Sequence, residues 1–331
     1  MKELTETLLL LLQRLADGKF HSGQELADEI GCSRSAVWNQ IKHLRDLPGL
    51  TIHAVTGRGY QLQPALTLLN KQKILACLNQ KQAIALESCH MLTIVDSTNT
   101  QALANPPQNA GGVRAWFAEY QTAGRGRRGR SWQSGFAQNL QCSIAYQFDL
   151  PMQALAGLSI AVGVGLADRL TAYGLQDLGL KWPNDLLWQD KKMAGILLEV
   201  QGESAGPSLA VMGVGLNLHM DKTMDDLIDQ PYTSLAQTAI TVDRNQLAGE
   251  VLATLLEVCQ HYQTSGLTSF IDRWRDYDRY QGQAVTLTTP QQQWQGRYAG
   301  IADDGGLVLQ GEEGKRTFYA GEVSLRALEK K

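Results

Sequence analysis

The 331-residue sequence predicts a multidomain α+β protein, and three observations carry that prediction. Residues 1–65 pattern as short helices followed by a hairpin, a winged helix-turn-helix. Residues 66–279 interleave strands and helices irregularly, which predicts an α+β domain with a mixed or antiparallel sheet. Residues 280–331 are helix-poor and alternate apolar with polar positions, as a small β-barrel does. A hydrophobic fraction of 44% is enough to give such domains cores of their own.

At the N-terminus, Leu4, Leu8, Leu11, Leu12 and Leu15 recur at helical spacing. Glu3 and Glu6 stand where the positive region of a signal peptide belongs, so the segment reads as an amphipathic helix. No apolar run approaches the roughly 20 residues of a membrane span, so none is expected. Ser22 and Glu25 have capping-box spacing, and Gly31 suits the left-handed residue that ends a helix. Ser33 then caps a helix with Val37, Ile41 and Leu44 on one face. Its other face carries Arg34, Ser35, Trp38, Asn39, Lys42 and Arg45, and the hairpin "TGRG" puts Arg58 at its tip. These seven residues are the candidate DNA contacts, to phosphates or base edges. A three-helix protein-interaction module with a solvated polar face is the alternative. The domain is not strongly basic, so a single copy should bind DNA weakly and dimerisation is the natural remedy.

In the centre, "HMLTIVDSTNTQALANPP" predicts a strand, a polar turn and a helix stopped by Pro106 and Pro107. "RAWFAEYQTA" and "NLQCSIAYQFDL" predict strands, and "MQALAGLSIAVGVGLADRLTAYGL" a buried helix with a stripe of Leu155, Leu158, Val162, Leu166 and Leu170. "LGLKWPNDLLWQDKKMAGILLEVQ" reads as three strands joined by turns, and "SLAVMGVGLNLHM" as a strand ending at Asn217. Two helices follow, in "DRNQLAGEVLATLLEVCQHYQ" and "GLTSFIDRWRDYDRY".

The stretch "EYQTAGRGRRGRSW" concentrates Arg125, Arg127, Arg128 and Arg130 among Gly124, Gly126 and Gly129, in a chain of net charge −3. It satisfies G-x-G-x-x-G, but no helix pattern follows the glycines, so a dinucleotide loop is not expected. A P-loop motif is absent. The loop suits an anion, with backbone N–H groups brought close and guanidiniums as forked donors. Mutual repulsion predicts that it moves when no ligand is bound. A nucleic-acid patch and a solvated basic loop are the alternatives. In "KWPND", Lys181 ends a strand and points an ammonium from a rigid element. That suits a carboxylate or phosphoryl oxygen where charge develops, though a surface lysine has the same pattern. Lys192 precedes a strand in which Gly195 allows close approach. The five cysteines, Cys32, Cys77, Cys89, Cys142 and Cys259, form no zinc or C-x-x-C pattern and read as reduced thiols of a cytoplasmic protein. Cys142 reads as core rather than as a nucleophile.

"STN" (97–99), "EYQTAGRGRRGRSW", "KWPNDL", "KKMAGILLE", "GVGLNL" and "AGEVSLRAL" (320–328) occur in the order found in biotin–protein ligases. With the winged helix in front, the sequence resembles the bifunctional form, both ligase and biotin operon repressor, over essentially its whole length. Lipoate–protein ligases share that fold without the pairing of the arginine loop and KWPND. The resemblance implies a class II synthetase-like catalytic domain with a mixed sheet and an SH3-like C-terminal domain. It implies that biotin and ATP, with Mg²⁺, form biotinyl-5′-AMP, and that biotin then passes to a lysine of an acceptor. The acceptor in the family is the biotin carboxyl carrier protein of acetyl-CoA carboxylase. Ser97, Thr98, Asn99 and Gln121 would line the biotin site. Gly124, Arg125, Gly126 and Arg127 would close over biotin and phosphate, and Lys181 would contact the reacting groups. Arg130, Trp132, Lys192 and Asn217 would lie near the nucleotide or its metal. Tyr232 would stack on adenine where some relatives have tryptophan, and Arg326 would reach back to the site. No residue is expected as a resident metal ligand. A homodimer on operator DNA of the biotin genes is expected with the adenylate bound. A non-catalytic sensor and a ligase for lipoate or octanoate are the rival readings.

Overall fold

The structure is a computed structural model that describes residues 6–203, 206–220, 222–289, 292–319 and 324–327. The chain begins with α1 (Glu6–Leu15), α2 (Gly23–Ile30), α3 (Arg34–Arg45) and a hairpin of β1 (Ile52–Val55) and β2 (Gly59–Leu62). Leu8, Leu11, Leu12 and Leu15 are buried on one face of α1; Leu4 lies outside the described residues. The Ser22–Glu25 capping box is formed, and Gly31 ends α2 at φ 72°. Ser33 accepts from the Ala36 amide, and Val37, Ile41 and Leu44 are buried under α3. The local signals therefore act as the sequence predicts.

A linker carries α4 (Lys71–Leu75) and α5 (Gln80–Ala85) into β3 (Leu86–Val95), α6 (Thr98–Ala104), β4 (Val113–Gln121), β5 (Asn139–Phe148) and α7 (Leu158–Ala172). Then come β6 (Leu178–Lys181), β7 (Asp185–Trp188), β8 (Lys191–Gly202), β9 (Ser208–Asn217), α8 (Arg244–Ser265) and α9 (Thr268–Tyr277). The sheet order is β3-β4-β5-β9-β8-β7-β6, with β3 and β4 parallel and the other pairs antiparallel. It is the predicted mixed sheet. Period-two alternation sorts its faces. Ala194 and Ile196 of β8, with Met212 and Val214 of β9, are buried in the main core with α7 and α8. The odd positions, Gly195 and Leu197 with Gly213 and Gly215, face the opposite side, where α6 lies and a cavity opens.

The predicted long helix is broken. Met152–Leu155 is a 3-10 turn, and α7 starts after Gly157, where a Cβ would come within 2.4 Å of Leu267. Met152–Ala172 as a whole is long and apolar enough to span a membrane by composition, but 67% of its apolar 18-residue window is buried inside the protein, as in a core helix.

The last strands are β10 (Ala284–Thr288), β11 (Gln293–Ile301), β12 (Leu307–Gly311), β13 (Gly314–Phe318) and β14 (Ser324–Ala327). They form an antiparallel sheet ordered β13-β12-β11-β10-β14. Trp182 Nε1 donates to Gly305 O at 2.9 Å and so ties this domain to the KWPND turn. At the other end, Phe136 and Ala137 of the central domain are buried in the same apolar cluster as Leu44, Leu47 and Leu50 of the winged domain. The Phe136 amide donates to Pro48 O, and Gln138 Nε2 to Gly49 O. A buried Glu119–Arg244 ion pair at 2.6 Å holds the linker through the Leu69 amide and Thr67 O.

Candidate active site

A cavity of about 530 Å³ opens on the α6 face of the central sheet, a size suited to a small molecule or cofactor. Ser97, Thr98, Asn99, Gln121, Arg125, Gly126, Arg127, Arg130, Trp132, Lys181 and Lys192 all line it, although they are scattered over 96 positions of sequence. Gly124 lines a second cavity along the same loop.

One end is polar and buried. Ser97, Thr98 and Asn99, at the start of α6, are 3–4% exposed. Gln121 Oε1 accepts from the Thr98 amide at 2.7 Å and from its hydroxyl at 3.0 Å. Ser143 Oγ lies 2.7 Å from Thr98 Oγ1 and 2.6 Å from Asn99 Oδ1. Asn99 Nδ2 donates to Glu199 Oε2 at 2.8 Å. Gly213 lets Asn99 in, since a Cβ there would sit 2.1 Å from Asn99 Oδ1.

The arginine–glycine stretch is a folded hairpin. Gly126 N donates to Arg130 O, Trp132 N donates to Gly124 O, and Arg127–Gly129 form a 3-10 turn. Arg128 takes φ 59°, a left-handed conformation that disfavours a side chain. The absence of a helix after the glycines agrees with the sequence argument against a dinucleotide loop. Two contacts offset the concentrated charge. Arg125 Nη2 meets Glu199 Oε2 at 2.6 Å, and Arg127 Nη1 donates to Asn184 Oδ1 at 3.1 Å. Burial lowers the pKa of Arg127 from arginine's ordinary value, with repulsion from Arg128 and Arg130 adding to the effect and Asp185 opposing it.

Each residue of KWPND has a separate place. Lys181 lines the cavity, with Nζ 5.7 Å from the centre of the Tyr280 ring. Trp182 is 2% exposed, and the Pro183 carbonyl accepts from Ser159 Oγ. Asn184 bridges to β8 through Ile196 and holds Arg127. Asp185 pairs with Lys192 at 2.7 Å. Lys192 Nζ lies 5.9 Å from the Trp132 ring, which lies against Gly215 and Gly195. Trp132 Nε1 is buried without a hydrogen-bond partner among the described residues.

Asn217 and Tyr232 are not among the residues that line the main cavity. Asn217 Nδ2 bonds the backbone oxygens of Thr233 and Lys192, and Tyr232 bridges to Lys192 and donates to Asp225. Together they bring 229–231 to the rim. Arg326 pairs through its backbone with Thr286; its side chain, and 320–323 and 328 of the last motif, lie outside the described residues. Sequence reasoning missed Ser143, Glu199, Tyr280 and Leu325, which stand outside the motifs or were passed over within them.

On the winged domain, Arg34, Ser35, Trp38, Asn39, Lys42, Arg45 and Arg58 are all exposed. Three are also engaged. Ser35 bonds Ser33, the Arg45 guanidinium donates twice to Ile52 O, and Arg58 stacks on Phe20 at 3.9 Å. Cys142 is fully buried in β5, and burial raises its pKa well above an ordinary thiol's, which suits core and not a nucleophile.

Comparison with known proteins matches residues 92–217 to the biotin/lipoate A/B protein ligase family, 7–61 to an HTH domain and 280–326 to the biotin protein ligase C-terminal domain. The chain is 35% identical to the bifunctional ligase/repressor BirA of Salmonella typhimurium, covering 98% of this chain and 99% of that one. It is 31% identical to BirA of Bacillus subtilis, covering 96% and 97%. A structure of the biotin protein ligase from Aquifex aeolicus in complex with biotin and ATP superposes with a TM-score of 0.58 at 26% identity, covering 73% of this chain and all of that one. Fold, site and whole-length similarity agree: the chain belongs to the biotin–protein ligase family, in the form with a helix-turn-helix domain ahead of the ligase domain.

Proposed function

We propose that the protein is an ATP-dependent biotin–protein ligase that is also a biotin-responsive repressor of biotin synthesis genes. The observation that carries the first activity is one cavity in which buried Ser97, Thr98 and Asn99, with half-buried Gln121, face Lys181 and the arginine hairpin. The polar set offers donors and acceptors to a ureido ring, where an aliphatic acid would need fewer. The cationic end accommodates a carboxylate and an α-phosphate, two anions that must meet.

In the first half-reaction a carboxylate oxygen of biotin attacks the α-phosphorus of ATP. The bond to the β-phosphate oxygen breaks, giving biotinyl-5′-AMP and pyrophosphate. Lys181, Arg125 and Arg127 hold the two anions together and offset the charge on the α-phosphoryl oxygens. In the second, the amine of an acceptor lysine attacks the acyl carbon and AMP leaves, so no enzyme nucleophile is needed. Gly124 and Gly126 shape the loop. Arg130, Trp132 and Lys192 would face the nucleotide, and the orphaned Trp132 Nε1 would take an acceptor from it. Asn217 and Tyr232 would act by holding the rim. Among the described residues no cluster of three His, Cys, Asp or Glu is placed to hold a metal. Mg²⁺ would act as a counter-ion of the nucleotide's phosphates and offset their charge.

The domains would be 1–65, a DNA-reading winged helix; 66–279, the ligase; and 280–331, an SH3-like domain. The exposed face of α3 and the wing tip support DNA reading through Arg34, Trp38, Asn39 and Lys42, with Ser35, Arg45 and Arg58 steadying the surface they share. Partners would be the biotin carboxyl carrier protein of acetyl-CoA carboxylase and operator DNA, the latter bound by an adenylate-loaded homodimer. Five free thiols suit a cytoplasmic setting. The test is ATP–pyrophosphate exchange with Mg²⁺, with biotin, without it, and with lipoate. Biotin-dependent exchange is expected. Exchange with lipoate alone would change the substrate, and none with either would leave a sensor.

A further inference from the structure

A carboxylate stands where the site's chemistry disfavours one. Glu199 is on β8 and lines the second cavity, beside Arg125, Arg127, Arg128 and Arg130 of the hairpin. An acid there repels a carboxylate or phosphate ligand, so its presence calls for a compensating role. The same oxygen, Oε2, takes Arg125 Nη2 at 2.6 Å and Asn99 Nδ2 at 2.8 Å. One donor belongs to the hairpin and the other to the buried polar set, 26 positions apart in sequence. Asn99 is otherwise committed through Oδ1 to Ser143 and more loosely through Nδ2 to Leu197 O at 3.3 Å.

We propose that Glu199 is a positioning residue that links the two ends of the site. It orients the Asn99 amide and seats Arg125 at the rim, and an anionic ligand competes with it for that guanidinium. This rests on the ligase reading. Drawing Arg125 towards a phosphate leaves Glu199 Oε2 to Asn99 alone, so the acid-binding end tightens as the hairpin engages the nucleotide. Arg125 and Glu199 side chains are 40% and 27% exposed, and ion pairs so open to water are weak. The expected effects are therefore several-fold.

The test uses the full chain with Glu199→Gln and Glu199→Ala. Glutamine keeps an acceptor for Asn99 and removes the charge from Arg125; alanine removes both. Without ligand, tryptic cleavage within 124–132 should be about two- to fivefold faster in both variants. In biotin-dependent exchange, Glu199→Gln should lower KM for ATP about two- to fivefold and leave KM for biotin near that of the parent. Glu199→Ala should raise KM for biotin about tenfold, and kcat should change less than threefold in either variant. Cleavage at the parent's rate, or both variants shifting both KM values in parallel, would overturn the proposal. Should Glu199→Gln fail to fold, Glu199→Asp shortens the reach to Arg125 and should be cleaved at the same raised rate. If the parent shows no biotin-dependent exchange, the ligase reading fails while the link is still decided. Inorganic pyrophosphate should then protect the hairpin at a lower concentration in Glu199→Gln than in the parent, and equal concentrations would reject it.

Discussion

A single methyl group decides whether Trp132 keeps its place. A Cβ on Gly215 would sit 2.4 Å from the indole, and one on Gly213 2.1 Å from Asn99 Oδ1. Gly215→Ala is expected to displace Trp132 and disturb Lys192, at a stability cost of about 1–3 kcal/mol. Tryptophan fluorescence and KM for ATP should both change. Lys181→Met removes a charge from a half-buried side chain at a strand end and keeps an unbranched chain of similar length. Exchange activity should fall about 10²–10³-fold with an unaltered circular dichroism spectrum. These residues were legible because each sits in a local motif. Ser143, Tyr280 and Glu199 were not. Glu199 draws its meaning from partners 74 and 100 positions away, and no local pattern marks a glutamate that will meet them.

At the scale of elements, capping and period-two alternation did most of the specifying. The Ser22–Glu25 box forms as spaced, so Ser22→Ala should cost about 1 kcal/mol in urea denaturation. The predicted strands of the sheet are all present, and their odd positions on β8 and β9 place the cavity. The apolar stripe does not show the break before α7, nor that Leu267 packs against Gly157 from 110 positions away. The end of α9 holds a titrating group that the sequence could not reveal. Asp278 accepts from Trp274 Nε1 and the Tyr280 amide, and burial pushes its carboxyl up to about 6 from 3.8. Between pH 4 and 6 the folded chain keeps a proton that the unfolded chain releases, so this group's contribution to stability falls as pH rises and is level above. Asp278→Asn should gain on the parent across that window, by about 1–3 kcal/mol at its upper end, as read from urea midpoints against pH.

For the whole molecule, the three segments are sewn together by contacts that composition cannot announce. The winged domain shares its core with Phe136, and the C-terminal sheet takes Trp182 Nε1 through Gly305. Trp132 in the cavity and Phe136 in the winged domain's core are four residues apart, and the turn that Phe136 meets follows directly on α3. The proposed DNA reader is therefore braced close to the proposed nucleotide pocket. Phe136→Ala, at a position with no exposure, should cost about 3–5 kcal/mol and loosen the winged domain first, which hydrogen exchange in 37–50 would register. The apolar cluster of the winged domain takes in Phe136 and Ala137 from the middle of the chain, a contact that no linear segment announces.

That shared core limits how the chain can be cut and rejoined. A reader domain transplanted from another protein would have to bring its own socket for Phe136. Chimaeras spliced at residue 65 would leave this ring, with Ile94 and Tyr120 beside the same cluster, facing water. They are expected to aggregate on warming, and replacing Phe136 with a polar residue in the chimaera should restore solubility. Calorimetry of the intact chain should likewise show the winged and central domains melting in one transition, not two.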